Sequence, residues 1–405
     1  MTATAPMNSP AAMNRPVYLD YAATTPVDPR VAAAMARCLT VEGEFGNPAS
    51  ASHDYGDAAR VLVEAARAQV AASVGAAPEE VIWTSGATEA NNLAIFGVAE
   101  YYRERGRHIV TARTEHKAVL DPCRELERRG WRVTYLAPDG GGLIHPDRVA
   151  AALQADTVLV SIMHVNNEIG VIQDIRRIAA ICAEHGGARL HVDAAQSAGK
   201  RDVDFAHLGA DLMSLSAHKA YGPKGVGALL VSRRAGGRDA AVQLRALQFG
   251  GGQERAIRAG TVATHQVVGM GLAFELARAA LESENPRLAV LRERLWRGLA
   301  PLGGVMRNGD AEHSVPHLLN VSFEGVEGES LLAAVRGRLA VSTGSACTSA
   351  LQEPSYVLRA LGRDDVLSES SLRFGLGRFT REPDIDAAIA VVTQAVSRLR
   401  RLSGA

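Results

Sequence analysis

Two segments decide how this chain folds: RLHVDAAQSAGK at residues 189–200 and DLMSLSAHKAYGPKGVG at residues 211–227. Each begins with an apolar run that is typical of a buried strand and ends in polar residues that could face a ligand. Those polar residues are Asp193, Gln196, Ser216, His218 and Lys219. A lysine in this setting is a candidate Schiff-base nucleophile, and an aspartate is the partner that a pyridinium nitrogen requires. An exposed lysine that simply follows a strand is more common, so the choice depends on the other motifs.

Length and composition limit the classes of protein to which this chain can belong. The 405 residues are enough for two domains, and 47% hydrophobic with 22% charged residues is an ordinary globular balance. Forty-four basic residues balance forty-four acidic ones, so we expect no direct nucleic-acid binding. No apolar run is long enough to span a membrane, so we expect no membrane contact. The first sixteen residues lack the apolar segment of a signal peptide, so we expect a disordered start and a cytoplasmic protein.

Seven apolar runs recur at a regular pace, and most intervals between them carry helical patterns. Alternating strands and helices predict an α/β domain with a mostly parallel sheet. Only a short turn separates the last two runs, which is too short for a parallel crossover, so this pair should be antiparallel. The predicted strands are VIWTS, HIVTA, RVTYLA, TVLVSIM, RLHVDA, LMSLSAH and VGALLVS.

The pattern changes near residue 280, where a long helical segment is followed by short strands and further helices. We predict a large α/β domain over residues 28–278 and a smaller α+β domain built from residues 1–27 and 279–405. The smaller domain would carry a small-residue loop at about residues 340–352.

Three further motifs lie where predicted strands end. Ser85-Gly86-Ala87-Thr88 joins a strand to a helix, and free N–H groups at a helix start suit a phosphate; simple N-capping is the alternative. His116 follows the strand HIVTA, where a neutral imidazole could stack on a flat ring and move protons, although a lone histidine is more often structural. Asn167 follows TVLVSIM and could bind a ligand or form a turn.

The glycine-rich stretch at 250–261 is no dinucleotide fingerprint, because it does not join a strand to a helix.

Cys347 differs from the other three cysteines. Cys38, Cys123 and Cys182 lie in helical patterns and are predicted to be packing residues, whereas Cys347 lies among small residues in VSTGSACTSA. Such surroundings should leave the sulfur accessible in a loop. Further on, Arg373 offers a planar fork that suits a substrate carboxylate, although a solvated arginine is equally common.

Taken together, these motifs resemble the cysteine desulfurases, a class V aminotransferase-like family of fold type I enzymes that use pyridoxal 5'-phosphate (PLP). The resemblance covers nearly the whole chain, and the loop around Cys347 followed by EPSYVLRALG is similar to the Isc/Nif-type branch. Seven blocks in order carry it: FGNPAS (45–50), TSGATE (84–89), TEHKAVL (114–120), MHVNNEIG (163–170), HVDAAQ (191–196), GPKG (222–225) and GSACTS (344–349).

The resemblance implies a role for each candidate residue. Lys219 would bind the cofactor as a Schiff base, with Asp193 at the pyridine nitrogen, Gln196 at the phenolic oxygen and His116 stacked on the ring. The phosphate would be held by a set that includes one residue of a second subunit: Ala87, Thr88, Ser216, His218 and Thr261, the last from the partner. Asn167 would lie beside cofactor and substrate, Arg373 would bind the substrate carboxylate, and Cys347 would accept the sulfur.

The implied function is conversion of L-cysteine to L-alanine with the sulfur transferred as a persulfide on Cys347. Acceptors would be an iron–sulfur scaffold protein and other sulfur acceptors, with tRNA thiolation as a second use, and the enzyme would be a homodimer. Two alternatives stay within the PLP enzymes: a selenocysteine lyase or a class V aminotransferase, for which Cys347 is dispensable. A third is a non-catalytic partner protein that keeps the fold for docking.

Overall fold

The computed structural model describes residues 15–233, 241–344 and 354–404. The strands are β1 (Val17–Tyr18), β2 (Val81–Thr84), β3 (His108–Ala112), β4 (Arg132–Leu136), β5 (Thr157–Ser161), β6 (Arg189–Asp193), β7 (Leu212–Ser216), β8 (Gly227–Val231), β9 (Val305–Asn308), β10 (Leu318–Phe323), β11 (Leu339–Ala340) and β12 (Ser371–Gly375). The helices are α1 (Pro29–Ala36), α2 (Asp54–Ser73), α3 (Ala87–Tyr102), α4 (Lys117–Arg128), α5 (Pro146–Ala152), α6 (Ile175–His185), α7 (Phe205–Leu208), α8 (Thr264–Leu299), α9 (Gly328–Val335), α10 (Tyr356–Ala360), α11 (Asp365–Glu369) and α12 (Glu382–Ser403).

All seven predicted strands form one sheet, in the order β2-β8-β7-β6-β5-β3-β4. The pairs β3–β4, β3–β5, β5–β6 and β6–β7 are parallel, whereas β8 runs antiparallel to both of its neighbours. Every residue of β3, β5, β6, β7 and β8 is buried, which is why these strands are continuous apolar runs and not alternating ones. The predicted α/β fold with a mostly parallel sheet is confirmed, as is the antiparallel pairing of β7 with β8; β2–β8 is a second antiparallel pair.

The strand directions bring distant residues to one edge of the sheet. Strands β2, β3, β5, β6 and β7 all end there, because β8 is antiparallel to both β2 and β7. Ligands of open α/β sheets bind at the carboxyl ends of the strands. The polar residues that follow these strands therefore surround a common space.

A three-stranded antiparallel sheet, in the order β12-β10-β9, forms a separate core. Apolar residues of β10 and β12 pack against the second half of α8 and against α12. The chain's first strand belongs here too, because β1 pairs in parallel with β11.

Helix α8 serves both cores, and the sequence did not indicate this continuity. Its first half buries Met270 and Phe274 against the seven-stranded sheet, and its second half buries Leu291 and Leu295 against the smaller one. The boundary expected at residue 278 thus lies inside one helix of 36 residues. The proposed domain limits stay a prediction.

The three described cysteines, Cys38, Cys123 and Cys182, are buried. In the part of the chain that is described, no helix is both long and apolar enough to cross a membrane.

A buried ion pair ties the glycine-rich loop to the sheet. The Arg67 guanidinium on α2 donates to both carboxylate oxygens of Glu254, each at 2.8 Å. Glu254 also accepts the main-chain N–H of Trp83 in β2 at 2.8 Å. The loop has left-handed backbone at Glu254, Arg255 and Ala256, with φ of 45°, 58° and 60°. Because non-glycine residues pay a strain cost there, the ion pair is what holds this conformation.

We expect Glu254→Gln to lower the free energy of unfolding by about 3 kcal/mol, since the buried Arg67 loses its buried countercharge and keeps only the exposed Glu64 as an ionic partner. Urea denaturation monitored by circular dichroism measures this. The matched control is Glu293→Gln, which breaks the exposed pair with Arg297 and should change stability far less. Equal effects of the two variants would contradict the role given to the buried pair.

Candidate active site

A cavity of about 550 Å³ opens at the edge where the strands end. This volume suits a small-molecule ligand or cofactor. It brings together nine of the residues that the sequence singled out: Ala87, Thr88, His116, Asn167, Asp193, Gln196, Ser216, His218 and Lys219. Arg373 lines the same cavity.

Lys219 follows β7 in a short 3-10 turn and is held by main-chain carbonyls. Its Nζ donates to the oxygens of Ala22 and Ala23, each at 2.7 Å. These carbonyls lie in the segment after β1, so the chain's start forms one wall of the site. Lys219 and both alanines line the cavity, so these two bonds hold the amine at its wall.

Asp193 is the last residue of β6 and is only 7% exposed. Its Oδ2 accepts from Asn91 Nδ2 at 2.7 Å, and its Oδ1 accepts from the main-chain N–H of Ala195 at 2.9 Å. Asn91 is fully buried on α3. Two donors thus hold the carboxyl group of Asp193 in a fixed direction, as a partner of a protonated ring nitrogen must be held.

His116 caps the start of α4. Its Nδ1 accepts from the main-chain N–H of Ala118 at 3.1 Å, so the ring proton of the neutral imidazole lies on Nε2. Behind it Glu115 is completely buried, and burial first, with the charge of Asp193 second, raises the pKa of Glu115 well above its usual value. The Glu115 carboxyl group also accepts from the Met163 N–H at 2.9 Å.

The opposite end of the cavity suits an anion. Helix α3 begins at Ala87 after Gly86, which has no side chain to cap the first N–H groups. Ser216 and His218 face the same end. Burial, followed by the charges of Lys219, Lys224 and Lys200, lowers the pKa of His218 to about 4. With Thr24 Oγ1 at 3.1 Å from its Nδ1, His218 is a neutral hydrogen-bonding group near neutral pH.

Gly227 in β8 keeps this turn close to the sheet. It pairs with Thr84 on one side and Ser216 on the other. A Cβ at Gly227 would lie 2.4 Å from the Leu215 oxygen and 2.6 Å from the Cα of Gly86. Only glycine permits this approach.

Arg373 lies in the middle of β12 and is 1% exposed. Its Nη2 donates to Asp20 Oδ1 at 2.9 Å and its Nη1 to the Asn167 oxygen at 3.0 Å. Its Nε has no hydrogen-bond partner among the described residues. The guanidinium is thus oriented by protein contacts while it keeps a buried donor for a ligand.

Two further site residues were predicted from the sequence. Cys347 lies outside the described residues. Thr261 is exposed and does not line the cavity of this chain; its expected role concerns a second subunit and stays a prediction. The flanks of the Cys347 segment are tied to the cavity: Ser342 donates to Asp20 at 2.8 Å, and Ser355 donates to Glu168 at 2.5 Å.

Comparison with known proteins defines the class. Residues 17–388 match the model of the family described as aminotransferase class-V. This match covers most of the chain, which therefore belongs to that family, whose enzymes use PLP.

Close relatives narrow the assignment. Cysteine desulfurase IscS of Methylococcus capsulatus is 58% identical over 391 residues, which are 96% of this chain and 95% of that protein. Among solved structures, a NifS-like protein superimposes with a TM-score of 0.87 at 35% identity, covering 95% of this chain and 100% of the other. SspA in complex with cysteine gives a TM-score of 0.77 at 36% identity, covering 89% and 98%. The chain is a member of the cysteine desulfurases, and the resemblance drawn from the sequence is confirmed.

The residues of the cavity fit PLP. The Asn167 Oδ1 is buried without a hydrogen-bond partner among residues 15–233, 241–344 and 354–404, so a ligand group would satisfy it. Asp193 suits the pyridine nitrogen, and the start of α3 suits the phosphate. These groups can therefore bind the ring and the phosphate of the expected cofactor, PLP.

Sequence reasoning missed the residues that support this set. Asn91 holds Asp193, Asp20 holds Arg373, and the carbonyls of Ala22 and Ala23 hold Lys219. Asn91 carried one available signal, because it lies one turn into the helix whose start was assigned to phosphate binding. The contacts made by main-chain carbonyls could not be predicted from residue types, because every residue has such a carbonyl.

We expect Gly227→Ala to weaken PLP binding by about tenfold or more, because the added methyl group forces the Ser85–Thr88 turn away from the sheet. Absorbance or fluorescence titration of the cofactor-free protein with PLP measures the dissociation constant. Gly140→Ala is the control, since a Cβ there meets nothing within 4 Å. An unchanged constant for Gly227→Ala would contradict the account of this turn.

Proposed function

We propose that this member of the cysteine desulfurases converts L-cysteine to L-alanine and carries the sulfur as a persulfide on Cys347. One observation carries the proposal: Lys219, Asp193 and Arg373 line one cavity. Ser342, five residues before Cys347, donates to the same Asp20 that holds Arg373. The relative SspA, described in complex with cysteine, supports L-cysteine as the substrate.

Binding comes first. The Arg373 fork would hold the substrate carboxylate through its buried Nε–H, with Asp20 and the Asn167 carbonyl fixing the plane of the guanidinium. Asn167 itself would hydrogen-bond cofactor or substrate through its Oδ1. These contacts orient the Cα–H bond relative to Lys219.

Proton movement falls to Lys219 and His116. When bound, PLP supplies an electron sink for the pair left by the Cα proton. The Lys219 amine would take that proton from Cα, since an uncharged amine is a base of suitable strength in a partly buried site. His116, which lines the same cavity with its ring proton on Nε2, would be the second group that moves a proton.

Sulfur transfer would use the Cys347 thiolate as nucleophile. It attacks the substrate sulfur, so that an S–S bond forms and the substrate Cβ–S bond breaks. The electron pair of the broken bond stays with the carbon skeleton, which takes up protons and leaves as alanine. The product protein carries Cys347 as a persulfide, and an acceptor thiol then takes the outer sulfur.

The assembly and location belong to the same proposal. A homodimer would bring Thr261 of the second subunit to the phosphate. An iron–sulfur scaffold protein and other thiol proteins would receive the sulfur. A cytoplasmic location is supported by cysteines without disulfide spacing.

We expect Cys347→Ala to reduce alanine formation from L-cysteine by about 100-fold or more, because the nucleophile is gone. Anaerobic incubation followed by peptide mass analysis should find one added sulfur on the Cys347 peptide of the parent and none in the variant. Cys38→Ala serves as the control, because Cys38 is a buried cysteine that does not line the cavity. Parent-like alanine release by Cys347→Ala would favour a lyase, and a keto acid in place of alanine would favour an aminotransferase.

We expect Arg373→Lys to raise the KM for L-cysteine by about tenfold or more, since an ammonium group cannot reproduce a planar fork held by Asp20. Steady-state kinetics measures the change. Cysteamine lacks the carboxylate, so its inhibition constant should differ little between parent and variant. A proportionate loss for both compounds would show general damage to the site.

A further inference from the structure

Lys200 is a buried amine that the proposed reaction does not use. It lies in the turn after β6 and is 9% exposed. Its Nζ donates to Gln196 Oε1 at 3.0 Å. Gln196 is itself 5% exposed and lines the cavity. Lys200 does not line the cavity, so it acts on the site through Gln196.

This contact decides which way the Gln196 amide points. Lys200 is the donor in this contact, so the amide oxygen of Gln196 faces Lys200. The amide nitrogen then faces the other way, where Nε2 donates to the Ala22 oxygen at 2.8 Å. An NH₂ group has two hydrogens, and the second is left for the cavity.

The same contacts connect Lys200 to Lys219. The Ala22 oxygen accepts from both Gln196 and Lys219. The loop before Lys200 also packs tightly on the turn after Lys219, because a Cβ at Gly199 would lie 2.7 Å from the Ala220 Cβ. Movement of the Lys200 side chain would therefore be transmitted to the wall that carries Lys219.

Composition makes Lys200 unusual. The sequence has only four lysines, at 117, 200, 219 and 224, and its other forty basic residues are arginine. Burial first, and then the charges of Lys219 and Arg373, lowers the pKa of Lys200 to about 7. The charged and titratable groups that interact with it are Lys219, Arg373, His218 and His317.

We propose that Lys200 is a positioning residue of this site, which holds the Gln196 amide with its N–H directed at the ring oxygen of the cofactor. The proposal rests on the cofactor attachment proposed for Lys219. An N–H donor at that oxygen favours the form of the bound cofactor that carries negative charge there. Lys200 therefore sets the pH at which the bound cofactor changes its protonation.

The test is a pH titration of the cofactor absorbance in the holoenzyme, which needs no turnover. Lys200→Met should move the midpoint to higher pH by about one unit, because a hydrogen bond to the charged form is lost. Gln196→Leu should shift it in the same direction, and adding Lys200→Met to Gln196→Leu should cause little further shift.

The control removes another lysine charge from the same cavity. Lys224 lines the cavity but is exposed and has no bond to Gln196, so Lys224→Met should shift the midpoint much less than Lys200→Met. A Lys200→Met midpoint equal to the parent's overturns the proposal. An equal shift with and without Gln196 overturns it too, since the effect would then be charge alone. A parent protein without a cofactor band would instead contradict the proposed function.

Lys200→Gln covers the case in which Lys200→Met loses the cofactor altogether. Glutamine is uncharged but keeps an N–H donor. Cofactor retained by Lys200→Gln and lost from Lys200→Met supports the hydrogen-bond role. Loss from both variants overturns it.

Discussion

The placement of positive charge around one cavity is the constraint on which the rest of the site depends. Lys200 and Arg373 are buried and Lys219 is partly buried. Removing cations from water is costly unless each finds acceptors. Lys219 has two carbonyls, Lys200 has the Gln196 oxygen, and Arg373 has Asp20 and a carbonyl. Only one of these acceptors is a carboxylate, so the cavity also suits an anionic ligand that carries a phosphate or a carboxylate.

Those acceptors explain why the chain's start is part of the site. The segment after β1 hydrogen-bonds to β12 on one side, through Tyr21 N to the Gly375 oxygen, and to the turn after β7 on the other, through Thr25 N to the His218 oxygen. It thus joins the three-stranded sheet to the seven-stranded one at the cavity. The carbonyls of Ala22 and Ala23 reach Lys219 because both of these attachments fix the backbone between them.

Much of the fold could be predicted because its signals are local. Buried strands with both faces covered appear as apolar runs, and the short turn after Lys219 required an antiparallel return. The site could be predicted in part, because parallel strands end at one edge of the sheet and bring the residues that follow them together. The supporting contacts were not, since Asn91 and Asp193 are 102 positions apart and Asp20 and Arg373 are 353 apart. Helix α8 was missed for a related reason: its continuity across Pro286 depends on two cores that one helix serves.

The residue types at the site follow from whether a charge must change. Arginine stays protonated in proteins, whereas lysine can lose its proton when it is buried. A substrate carboxylate needs a permanent cation, and Arg373 provides it. A Schiff-base nucleophile must be uncharged when it attacks, so lysine is required at 219 even in a chain that otherwise uses arginine for nearly all of its positive charge. Position 200 differs, because its hydrogen bond to Gln196 does not depend on charge: the ammonium group and the neutral amine both carry N–H donors.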